Sequence, residues 1–143
     1  MTIKPKAARA LRGVRERLRD AAAATHAAAT TQIEVAADEL ANERDRLGAS
    51  FDGAERALQR ARSVSDLHRV RLDVDICRED VGHATTRHDD AIAAAVTTAG
   101  ALRERTRQLR TAERIVELVD KARFDVEARA ERIACDDLAA RRR

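Results

Sequence analysis

From Leu67 onward, apolar residues recur at alternating steps of three and four. One series (a) reads Leu67, Val74, Val81, His88, Ala95, Leu102, Leu109, Val116, Arg123, Ala130. The other (d) reads Val70, Cys77, Ala84, Ala91, Thr98, Arg105, Ala112, Val119, Val126, Ile133. Sixteen of these 20 positions are apolar. A seven-residue repeat held over so many heptads predicts a helix that buries one narrow seam in a coiled coil. A second ladder lies upstream: Ile33, Ala37, Leu40, Leu47, Phe51, Ala54, Leu58 and Ala61, interrupted at Arg44. Further back, Leu11, Val14 and Leu18 form another stripe, one residue out of phase. A four-residue insertion within AAAATHAAATT would reconcile the two, and the pattern therefore predicts a stutter there.

The ladders meet at ARSVSDLHRV, residues 61–70. Ser63 and Asp66 form an S-x-x-D helix-start signal, in which short oxygen-bearing side chains satisfy free backbone N–H groups. The expected fold is all-α: an antiparallel two-helix coiled-coil hairpin whose C-terminal helix is the longer. Helix one runs from about residue 5 to 62, opened by Pro5 in a first-turn position. Ser63, Val64, Ser65 and Asp66 form the hairpin turn, and helix two runs from about 66 to 140. Folding about residue 64 makes partners' numbers add to about 128, placing Phe51 opposite Cys77 and Ala54 opposite Val74. The competing reading is one uninterrupted helix that dimerises, with Ser63 and Ser65 on its surface.

Unequal helices have a consequence. At 1.5 Å per residue helix one is roughly 85 Å long and helix two roughly 110 Å. Residues from about Arg123 onward then find no intramolecular partner, although Phe124, Val126, Ile133 and Leu138 recur there at helical spacing. An apolar stripe on a lone helix calls for a partner. The bland alternative is a frayed, salt-bridged helix end.

Composition supports long helices over a pocketed fold. Charged residues make up 37% of the chain and aromatics 1%, with five Gly and one Pro. So few turn-formers and pocket-lining groups weigh against an enzyme. The formal charge is only +3, from 28 basic and 25 acidic residues. That mixed surface differs from the basic excess of a nucleic-acid binder. Basic residues gather at the ends (Lys4, Lys6, Arg9, Arg12, Arg15 and Arg141 to Arg143), where they serve solubility and helix-end electrostatics or meet an acidic partner. No apolar run reaches the ~18 residues of a membrane span, and MTIKPKAARALRGVRERLRD lacks the apolar core of a secretory signal. A cytoplasmic location is expected, where Cys77 and Cys135 need no disulfide. In a hairpin they lie about 87 Å apart by helical rise, too far to bridge.

The remaining motifs are weak. GASFDGAE (48–55) has the glycine spacing of a phosphate loop but lacks the Lys-Ser/Thr and a preceding strand; glycines near a helix packing contact are the better reading. His83 and His88 are five apart and do not share a helix face, so His88 reads as a polar seam residue that fixes register. No nucleophile–base pair is evident. The expected catalytic, cofactor and metal sites are none.

In length, in its basic first helix, in the restart SVSDLHRVRLDVDI and in the ending EARAERIACDDLAARR, the chain resembles the FliJ/YscO family of type III secretion systems, flagellar and injectisome. The ending is similar to that family's E-A-R-x-E, then D-[DE]-L-A. The resemblance implies a non-enzymatic central stalk, cytoplasmic and peripheral to the membrane-embedded secretion apparatus. It implies docking of the end with both termini into a hexameric secretion ATPase, with contacts to an export-gate protein or secretion chaperones. Glu127, Arg129, Glu131, Asp136, Asp137 and Leu138 match the terminal pattern; with Phe124, Val126 and Ile133 from the overhang they form the expected partner-binding set. A mainly monomeric hairpin without nucleic acid is expected. The alternative is a structural coiled coil that assembles with its own copy.

Overall fold

A computed structural model of the chain describes the backbone of residues 4–141 and the side chains of residues 4–137. Two helices account for nearly all of it: α1, Pro5–Leu58 (54 residues), and α2, Val64–Arg141 (78 residues). They pack against one another as an antiparallel hairpin with the longer helix second. The chain divides into two compact units, Ala24–Gly100 and Met1–Ala23 with Ala101–Arg143.

The turn belongs to Ala24–Gly100 and falls earlier than the sequence suggests. Helix α1 stops at Leu58, and residues 59–63 make the reversal. Its last turn tightens: the Arg60 amide donates to the Ala57 carbonyl (3.0 Å) and the Ala61 amide to that of Leu58 (3.4 Å). Val64, Ser65 and Asp66 are therefore the first turn of α2 rather than the hairpin turn, and only Ser63 of the four expected residues lies outside a helix. A cap sits just ahead of the helix it starts, which places the reversal upstream of Ser63. The capping itself is as expected. The Asp66 amide donates to Ser63 Oγ (3.2 Å), and Asp66 Oδ2 accepts from the Arg62 amide (3.3 Å). Hydrogen bonds to the carboxylate itself, from the Ser63 side chain first and then from the Arg62 amide, hold the Asp66 carboxyl below its ordinary value of 3.8.

The α2 ladder is the seam. From Val70 to Val119 every a and d position is buried or half-buried, with Val74, Cys77, Ala84, Ala95, Leu109, Ala112 and Val116 at 9% exposure or less. On α1 one predicted series holds (Ile33, Leu40, Leu47, Ala54), and Ala61 beyond its end is also half-buried, but its companion lies one residue earlier, at Ala36, Glu43, Ser50 and Ala57. Phe51 (44%) and Leu58 (53%) are left at the surface, and Arg44 interrupts nothing because it is outside the seam. Small residues at the contact let the helices approach, and the larger neighbours lie along the flank. Phe51 there carries the Arg78 guanidinium 5.4 Å above its ring, a cation–π contact.

Register follows from His26, whose Nδ1 lies 3.1 Å from Thr98 Oγ1. Their numbers add to 124, four below the expected 128, so Leu47 and Ala54 face Cys77 and Val70. The ion pairs Arg87–Glu39 (3.3 Å) and Arg46–Asp80 (3.4 Å) flank the same register. Thr98 donates its own proton to the Ala95 carbonyl (3.0 Å). The expected stutter is also absent. Seam positions on α1 continue in sevens through Ala22, His26, Ala29 and Ile33, all half-buried. The stripe at Leu11, Val14 and Leu18 (38%, 44%, 37% exposed) is a flank, while Ala8 is in the core.

Candidate partner-docking end

The unit Met1–Ala23 with Ala101–Arg143 contains the start of α1 and the end of α2. Pro5 opens α1 in a position where its missing N–H costs nothing, and the Ala7 and Ala8 amides both donate to the Lys4 carbonyl (2.9 and 3.1 Å). Ala8 is buried, as are Ala112 and Val116 of α2. Arg9 reaches Asp120 Oδ1 at 3.0 Å. Among the described residues beyond this pair, none of α2 is buried and only Ala128 is half-buried. Val119 is half-buried, whereas the next seam positions, Arg123, Val126, Ala130 and Ile133, are all exposed.

The expected partner-binding residues are thus on one uncovered stretch of helix, but they do not make one surface. Phe124, Val126 and Ile133 are 69%, 65% and 63% exposed. At about 100° per residue, Val126, Ala130 and Ile133 prolong the seam, whereas Phe124 and Cys135 lie on the opposite side. Glu127 accepts from Arg123 Nε at 2.7 Å, and this partner raises the Arg123 pKa. Arg129, Glu131, Asp136 and Asp137 are exposed around both faces. The side chain of Leu138 lies outside the described residues. The arrangement offers two narrow apolar strips separated by charge, which suits helix-on-helix contact.

The weaker candidates resolve separately. His83 is exposed and His88 half-buried in the seam, its Nδ1 3.7 Å from Asp89. Among the described residues no three His, Cys, Asp or Glu are grouped to hold a metal ion. Cys77 is buried and Cys135 exposed, both free thiols. Gly48 and Gly53 lie inside α1 with no left-handed backbone, and an added Cβ would meet nothing within 4 Å at either. Close packing therefore does not account for them, contrary to the reading from spacing. Among the described residues no helix is long and apolar enough to cross a membrane.

A cluster that sequence reasoning missed lies deeper in this unit. Arg15 and Arg105 both donate to Gln108 Oε1, at 2.6 and 3.2 Å. The only advance signal was Arg105 at a d position of an otherwise apolar stretch. Compared with protein-family models, curated proteins and solved structures, the chain matches none.

Proposed function

We propose that the protein is a non-enzymatic central-stalk component of a type III secretion system, of the FliJ/YscO kind. In this reading α2 beyond Val119 docks into a hexameric secretion ATPase, and the remainder meets an export-gate protein or secretion chaperones at the cytoplasmic face of the apparatus. The observation that carries it is the exposed continuation of the seam, Val126, Ala130 and Ile133, in the unit that holds both helix ends. The ending EARAERIACDDLAARR coincides with that stretch. Hydrolysis belongs to the partner; the hairpin contributes shape and reversible charged contacts, which set specificity and association rate more than raw affinity.

A tagged pull-down from the native host, full-length beside a 1–122 truncation, tests this. Recovery of a hexameric ATPase by the full-length chain alone supports the stalk. Ring binding that survives truncation contradicts the docking end. The uncovered stretch also favours a second reading, a coiled coil pairing with its own copy. Recovery of untagged copies alone, with a dimeric hydrodynamic mass, would select it.

A further inference from the structure

In the unit formed by Met1–Ala23 and Ala101–Arg143, an otherwise apolar seam carries half-buried Arg15, Arg19 and Arg105 at positions that are ordinarily apolar in a coiled coil. Eight arginines and three acids lie within residues 12–20 and 103–110. That is a local balance of +5, against +3 for the whole chain. Folding brings these two segments together: Arg15 of α1 and Arg105 of α2 converge on the same Gln108 Oε1, at 2.6 and 3.2 Å. Two guanidinium groups thus share one neutral acceptor.

The orientation of that acceptor is set from behind. Gln108 Nε2 donates to Glu104 Oε1 at 2.9 Å, which turns the amide oxygen toward the arginines. Glu104 itself is taken by Arg107, 3.2 Å from its other oxygen, so its charge is already engaged. One turn from Arg15 along α1, the Nε of Arg19 is buried without a hydrogen-bond partner, although its Nη2 reaches Asp20 at 2.9 Å. A buried donor left unmade is costly. An open groove of about 250 Å³ beside Arg15 and Gln108 is lined also by Glu104, Arg107, Leu11 and Ile115; Arg105 and Arg19 are not part of its lining.

We propose that this cluster is a binding site for a phosphate group, held between α1 and α2 by Arg15 and Arg105 with Arg19 beside them. Guanidinium forks match phosphate oxygens in geometry and supply charge-assisted bonds stronger than those to an amide. The anion replaces the shared contact to Gln108 and relieves the repulsion that folding creates. The site is separate from the exposed end of α2, and it stands whether or not the stalk reading does.

The test uses the full-length chain, melted by circular dichroism in inorganic phosphate and in chloride at matched ionic strength, with ATP as a further arm. Phosphate should raise the midpoint by about 3 °C over chloride and saturate with concentration. A larger rise with ATP assigns the source to a phosphate ester, and an equal one to the free anion. Arg105→Leu should abolish the increment. Gln108→Glu, which supplies an anionic oxygen from within, should reduce it. Arg71→Leu, an equal charge change at an exposed residue near the turn, should keep it. Identical wild-type midpoints in phosphate and chloride would overturn the proposal, as would an increment that survives Arg105→Leu or vanishes equally in Arg71→Leu.

Discussion

The segment of α2 from Val70 to Val119 and the segment from Arg123 to Ile133 obey the same seven-residue rule, yet only the first is buried. Nothing in residue type separates Val126 and Ile133 from Val74 and Val116. The difference lies in what α1 covers: in the unit that holds both helix ends, α1 reaches α2 as far as the Arg9–Asp120 pair, and the seam continues past it. Periodicity therefore reports which face of a helix seeks a partner, while the partner's extent decides whether that face is core or docking surface. The same physics stabilises one stretch and leaves the other available for assembly.

The contrast breaks most sharply on truncation. On the proposed stalk reading, removing residues 123–143 should eliminate capture of a hexameric secretion ATPase while leaving the melting midpoint nearly unchanged; comparing retained protein and thermal melts checks both. Next in size is a matched pair in the two stretches. Leu40→Ala, in the buried seam at 6% exposure, should lower stability by about 2–3 kcal/mol. Ile133→Ala, 63% exposed, should change it by no more than about 0.5 kcal/mol. Urea titrations of the two variants measure this directly, and equal losses would mean that the end of α2 is covered.

A smaller effect belongs to the turn. Ser63→Ala removes the acceptor for the Asp66 amide and should cost about 1 kcal/mol. Because the folded Asp66 carboxyl titrates below its ordinary 3.8, its stabilising contribution is present above that value and is lost as pH falls through the lower folded one. Acid titration of wild type and Ser63→Ala, followed by helical signal, should show a shallower loss below pH 3.8 in the variant. Of similar size but opposite sign is Gly48→Ala. Its added methyl meets nothing within 4 Å and should raise stability by about 1 kcal/mol through helix propensity.

How legible all this was in the sequence depends on contrast between neighbouring residues. On α2 the apolar seam recurs over ten heptads, so its phase is readable despite apolar neighbours such as Leu72 and Ile76. On α1 the adjacent pairs Ala36/Ala37, Ser50/Phe51 and Ala57/Leu58 offer two phases. At Ser50/Phe51 and Ala57/Leu58 the larger side chain suggests the seam, whereas the helices approach at the smaller one; Ala36 and Ala37 are identical and give no basis for choosing a phase. The turn was placed late because Gln59, Arg60, Ala61 and Arg62 carry no Gly or Pro to mark the end of α1. Ser63 and Asp66 are legible as a helix-start signal, but the expected reversal includes them, whereas the structure places it upstream, at residues 59–63. The register inherited that error, as the His26–Thr98 contact shows. The exposed end was anticipated from unequal helix lengths, but its division into a Val126/Ile133 strip and a Phe124 strip needed the helix phase. The Arg15, Arg105 and Gln108 cluster was hidden by the same slip, since Arg15 read as a solvated residue of a basic terminus.

Amide hydrogen exchange of the isolated full-length protein tests the central contrast most directly. Amides from Val70 to Val119 should exchange only through opening of the hairpin, whereas those from Arg123 to Ile133 should exchange far faster through local fraying of a helix without tertiary cover. Equal protection of the two stretches in a monomeric sample would contradict the account, because the end of α2 would then be covered within a single chain.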